Sequence, residues 1–117
     1  MQAVVLAKTL HFLSEEGAFQ LKGKTVLDLG CGVGFVGIYL GCLGCQVVLA
    51  DFPSLKDLVE RNIGINKSLF KGKVDFTVAN WYLSGYAGKM GAVLANARKS
   101  MKYTQQRHPK SSSACYT

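Results

Sequence analysis

At 117 residues, 49% of them apolar, the chain has material for one modest core and excludes a two-domain enzyme. Its formal net charge of +7 is unevenly placed: residues 1–81 hold eight basic and all seven acidic residues, whereas Lys89, Arg98, Lys99, Lys102, Arg107 and Lys110 follow with no acid among them. Basicity confined to a tail, with no aromatic-basic platform beside it, argues against specific nucleic-acid binding, and no apolar run approaches the roughly 18 to 20 residues of a membrane span.

The chain opens on an apolar helical pattern. Val4, Val5, Leu6, Leu10, Phe12 and Leu13 recur at three-and-four spacing over residues 3–16, which predicts an amphipathic helix ending near Gly17. A turn at 21–24 leads to Thr25–Leu29, a short, mostly apolar run that reads as a buried strand closed by Gly30. Residues 35–43 are apolar nearly all round, as for a helix pressed on a sheet, with Gly37 and Gly41 allowing close approach and Gly44 as the C-terminal cap. Residues 46–50 read as a second strand, Asp51-Phe52-Pro53 as a bend, and Ser54 with Asp57 as a capping arrangement opening a helix from about 55 to 66. Val74, Phe76 and Val78 alternate with Asp75 and Thr77 in a third strand. Beyond Tyr82 the pattern fades; a brief helix fits 92–103, and the Ser-rich residues 109–117 read as loop.

Helices alternating with strands predict an α/β fold with a parallel, Rossmann-like sheet whose site lies at the carboxyl ends of the strands. There the sequence places Asp28-Leu29-Gly30-Cys31-Gly32-Val33-Gly34. Glycines suit a tight turn against which a ligand lies with no Cβ in the way. Two ligand classes compete, because Gly32-Val33-Gly34-Phe35-Val36-Gly37 also satisfies the dinucleotide fingerprint and Asp51 stands at the distance of a ribose-binding acid. Asp28 favours the other class: a carboxylate beside the loop repels a pyrophosphate and suits a ligand carrying an ammonium and a sulfonium, as S-adenosylmethionine does. A purely structural acid remains the alternative for Asp28, capping of the bend for Asp51, and core packing for Phe52, whose other reading is contact with an adenine.

Cysteines stand at 31, 42, 45 and 115. With no secretory leader pattern at the start, the expectation is a reduced, intracellular protein, cytoplasmic or also nuclear. Cys42-Leu43-Gly44-Cys45 has redox and zinc spacing, but no second ligand pair matches it, so no metal is expected and the pair reads as small apolar residues where a helix turns into a strand.

The run Val26 to Gly37 resembles the first motif of the seven-strand class I methyltransferases. Asp51-Phe52-Pro53, then Leu58, Asn62 and Asn66, then Asn80-Trp81 are similar to the protein lysine methyltransferases of methyltransferase family 16, methyltransferase-like 21 group, nearest in spacing to the branch acting on valosin-containing AAA chaperones. The resemblance implies S-adenosylmethionine as cofactor, with Asp28, Gly30, Gly32 and Gly34 bordering its methionine part and Cys31 inside the same loop. It places Asp51 at the ribose and Trp81 at the adenine edge. It implies methyl transfer to a lysine of a protein substrate, an AAA ATPase or another chaperone.

The resemblance covers residues 3–81. The family continues with a fourth strand ending in an Asp and an Asp-x-x-Tyr segment, but no acid follows Asp75 here. The expectation is a cofactor-binding half domain at 1–81 and a basic, poorly structured tail at 82–117. Such a chain is truncated and of doubtful activity, with its first strand left as an open edge. The other classes to weigh are a nicotinamide dinucleotide module of an oxidoreductase and a non-catalytic interaction protein.

Overall fold

The computed structural model describes residues 2–79 and 114–116. Their order is α1 (Gln2–Glu15), β1 (Thr25–Leu29), α2 (Phe35–Cys42), β2 (Gln46–Asp51), α3 (Lys56–Asn66), β3 (Lys73–Val78) and β4 (Ala114–Tyr116). The sheet runs β3-β2-β1-β4, and each neighbouring pair is parallel. The first six elements stand where the hydrophobic pattern puts them, their ends displaced by no more than a residue.

Alternation along the strands divides the core in two. Val26, Val47, Leu49 and Val74 join Val36 and Leu40 of α2 and Val59 of α3 in one buried cluster, with Ala3 and Leu10 of α1 packed against it. Leu27, Val48 and Ala50 point the other way and gather with Ala79. Strands β1 and β2 are therefore buried on both faces, the condition that makes central parallel strands continuously apolar.

The connections follow from local chemistry. Gly17, at φ 81, ends α1, and Gly44, at φ 100, turns α2 back into the sheet; Cys45 N–H there donates to Leu40 O at 3.0 Å. Cys42 is the last residue of α2. Cys45 is buried, its thiol donating to Leu21 O at 3.3 Å, so the Cys42–Cys45 spacing marks a helix-to-strand turn.

Three expectations are corrected. Ser54 does not cap α3: the chain enters through a 3-10 turn at Pro53–Leu55, and no side chain caps it or the helix. Pro53, with φ fixed near the helical value and no N–H to satisfy, starts the turn by itself. Residues 109–117 are not loop throughout, because Ala114–Tyr116 form β4. And β1 is not left as an open edge, since Thr25, Val26 and Leu27 stand in register with Ala114, Cys115 and Tyr116. A buried strand edge carries a row of backbone groups that need partners, and satisfying them outweighs a weak local strand preference. The helix expected over 92–103 and the rest of the tail lie outside the described residues.

Candidate functional site

The carboxyl ends of β1 and β2 lie side by side, Leu29 in register with Ala50. From Leu29 the chain turns through Gly30, Gly32 and Gly34, at φ 72, 58 and 90, before α2 begins at Phe35. Those angles are strained for any residue with a Cβ, and the backbone dictates glycine. A Cβ at Gly30 or Gly32 meets nothing within 4 Å among the described residues, which leave the space above the loop open.

The loop's backbone donors turn inward. Gly30 and Cys31 N–H both donate to Ala50 O, at 2.8 and 3.1 Å, and Gly34 N–H donates to Cys31 O at 3.0 Å. Gly32 N–H donates to Asp51 Oδ2 at 2.8 Å, while Asp51 Oδ1 accepts from Phe52 N–H at 2.7 Å. Asp51 thus braces the loop with one oxygen and its own bend with the other. Each oxygen keeps acceptor capacity, because a carboxylate offers about four lone-pair directions.

Asp28 sits inside β1, in register with Leu49, and is 8% exposed; Asp51 is 6% exposed. Both carboxylates flank the half-buried Cys31. Burial, then Asp28, then Asp51 push the Cys31 thiol up to about 12. The thiol also approaches Gly32 O, at 3.7 Å. Among the described residues the site is accordingly an acidic bay over a glycine loop, with no nucleophile poised in it.

The structure brings together Asp28, Gly30, Cys31, Gly32, Gly34 and Asp51 as the sequence placed them, with Phe52 half-buried directly after Asp51. Trp81 and Asn80 lie outside the described residues. Ala79 N–H, which donates to Asp51 O at 2.7 Å, brings the end of β3 to the same edge of the sheet. Asn62 stands among the residues that carry the family resemblance, with no role of its own in it; its Nδ2 donates to Val33 O in the middle of the loop at 2.9 Å. The available signal was an amide side chain three residues after the buried Val59, on the same face of α3. A separate shallow groove, lined by His11, Ser14, Glu15, Phe19, Lys22 and Leu43, lies around the entry to β1 at the opposite end of the sheet.

A parallel sheet with a glycine loop after β1 and an acid closing β2 defines a Rossmann-like fold of the methyltransferase type. The family model described as lysine methyltransferase matches residues 2–92, and the chain belongs to that family. The match runs past the boundary drawn at residue 81. EEF1A lysine methyltransferase 3 of Xenopus tropicalis is 41% identical over 54 residues, 46% of this chain and 24% of that protein. Protein N-lysine methyltransferase METTL21A of Mus musculus is 38% identical over 64 residues, 55% of this chain and 28% of its own length. The chain therefore spans about a quarter of the length of these relatives. The crystal structure of coclaurine N-methyltransferase bound to N-methylheliamine and SAH shares the fold, with a TM-score of 0.50 at 22% identity over 71% of this chain and 23% of that one.

Proposed function

We propose that this chain carries the S-adenosylmethionine-binding half of a protein lysine N-methyltransferase. The observation that carries this reading is the inward commitment of the loop amides: Gly30, Cys31, Gly32 and Gly34 all donate to protein acceptors, one of them a carboxylate. A pyrophosphate needs such N–H groups turned outward and a field free of negative charge. A cationic ligand needs the reverse, and Asp28 and Asp51 supply it. The nicotinamide dinucleotide reading loses its support on the same ground.

The residues present fit the cofactor. Gly30 and Gly32 leave open space over the loop, Asp51 keeps acceptor capacity for ribose hydroxyls, and Asp28 places a buried carboxylate at the strand end. S-adenosylmethionine supplies a sulfonium methyl, transferable to a neutral lysine amine by in-line displacement. The protein's share is alignment and exclusion of water, worth far more than covalent help in such a reaction. Asp28, Asp51 and the loop hold and orient; no general base is required of them.

The acceptor in this reading is a protein lysine. EEF1A, in the name of one relative, and an AAA ATPase or other chaperone, which the family resemblance implies, are the substrates to assay. The free thiols of Cys31, Cys42 and Cys45 support a reducing compartment, the cytoplasm or the nucleus.

A thermal melt of the 117-residue chain with S-adenosylhomocysteine, and with NAD as control, tests the cofactor. A ligand binding only the folded state at a hundred times its Kd adds about 2.7 kcal/mol of stability. The expected result is a rise in Tm with S-adenosylhomocysteine and none with NAD. Asp51→Asn removes the charge and sets an NH2 donor against one of the two N–H groups, of Gly32 and Phe52, that the carboxylate accepts, and is expected to weaken binding about ten-fold or more. A rise with NAD alone, or with neither ligand, overturns the reading.

A further inference from the structure

Helix α3 faces the glycine loop with Val59 and Asn62, one turn apart. Val59, fully buried, stands behind Gly34: a Cβ there would lie 3.5 Å from Val59 Cγ1. One turn on, Asn62 Nδ2 donates to Val33 O at 2.9 Å. Val59 thus leaves room behind Gly34 for a glycine and little more. The bond from Asn62 is directional and fixes the rotation of the peptide that follows Val33. Asp51 holds the loop from the other side through Gly32 N–H, so the loop's three central residues are gripped from β2 and α3 together.

We propose that Asn62 is a positioning residue for cofactor binding, acting through the Val33 carbonyl to hold the glycine loop in its receptive shape. This rests on the S-adenosylmethionine reading above. A loop with three glycines has more backbone freedom than any other residue type allows, and fixing it before the ligand arrives removes an ordering cost from binding. A single amide donor on the loop's middle carbonyl is an economical restraint, because that carbonyl's orientation governs the two flanking peptides. The neighbouring Asn66 provides an internal comparison: its Nδ2 donates to Asn62 O, within α3 itself, and reaches no loop atom in that bond.

The test uses the full 117-residue chain with Asn62→Ala, Asn62→Gln and Asn66→Ala. Two quantities are measured: affinity for S-adenosylhomocysteine by calorimetry, and amide hydrogen exchange of Gly32, Val33 and Gly34 in ligand-free protein by NMR. Alanine is the better helix former, so Asn62→Ala leaves the melting temperature of the free protein nearly unchanged. It is expected to weaken the ligand about five-fold, the range of one lost hydrogen bond, and to speed exchange in the loop. Asn62→Gln, which retains an amide donor, recovers part of both, and Asn66→Ala changes neither. Loop exchange and affinity both at wild-type values in Asn62→Ala overturn the proposal. A wild-type chain that does not bind S-adenosylhomocysteine overturns the cofactor reading instead, and the exchange rates then still decide whether Asn62 holds the loop.

Discussion

Glycines occupy two adjacent stretches of this chain for opposite reasons. In the loop, Gly30 and Gly32 have positive φ and, among the described residues, nothing within 4 Å of a would-be Cβ. In α2, Gly37 and Gly41 have ordinary helical backbone, and a Cβ on either collides with the sheet, at Leu49 and at Val74 respectively. The first pair answers a demand of the backbone and leaves a surface open to a ligand. The second answers a demand of packing and lets a helix lie flush on two strands. One residue type thus marks the site in one place and the core in the next, and only the surroundings tell them apart.

The largest effect is expected where that contact is tightest. Gly37→Ala drives a methyl into Leu49, which is fully buried on β2 and has no room to withdraw. Overpacking of this kind costs about 1–3 kcal/mol, which lowers Tm by about 4–12 °C in a domain of this size. Affinity of the remaining folded protein for S-adenosylhomocysteine is expected to hold. If Tm is unchanged and affinity falls, the contrast between the two stretches fails, because α2 would then be serving the ligand directly.

Gly32→Ala should give the mirror result. At φ 58 a Cβ costs about 1 kcal/mol, with no clash to add to it. The new methyl enters the space the ligand is proposed to fill, so calorimetry is expected to show a loss of about ten-fold in affinity beside a Tm fall of only about 4 °C. Full affinity in this variant would leave the loop glycines as a backbone device alone.

How much of this was legible in the sequence depends on the range of the interaction. The loop glycines and Asp51 were readable because local rules fix them: a strand end, a turn with positive φ, an acid closing the next strand. Strands β1 and β2 were readable as short apolar runs and β3 from its period-two alternation. What escaped needed knowledge of rotation or of distant pairing. Asn62 meets Val33 across 29 residues of sequence, and only the facing of α3, set by Val59, makes them neighbours. Strand β4 is placed by what β1 requires of a partner, so Ala114–Tyr116 show little strand signal of their own. At Ser54 a local rule was applied correctly and lost to a stronger one, since Pro53 opens the turn before a side-chain cap is needed.

The smallest effect concerns the loop's thiol, which lies half-buried beside two carboxylates. Burial and the two carboxylates hold Cys31 protonated, with the thiol pushed from 9.0 to about 12. Below about pH 9 the folded and unfolded chains both carry that proton, so nothing is lost there. As pH rises from about 9 toward about 12 the unfolded thiol ionises while the folded one does not, and stability falls across that window. Cys31→Ala is expected to flatten the alkaline decline in denaturation midpoint. Cys42→Ala does so less, since burial alone raises its thiol. The same chemistry predicts slow alkylation, because the thiolate is the reactive form. At pH 8, iodoacetamide followed by peptide mass spectrometry should modify Cys42 well before Cys31. A Cys31 that reacts as fast as Cys42 would mean that burial and the two carboxylates together do not hold its thiol protonated.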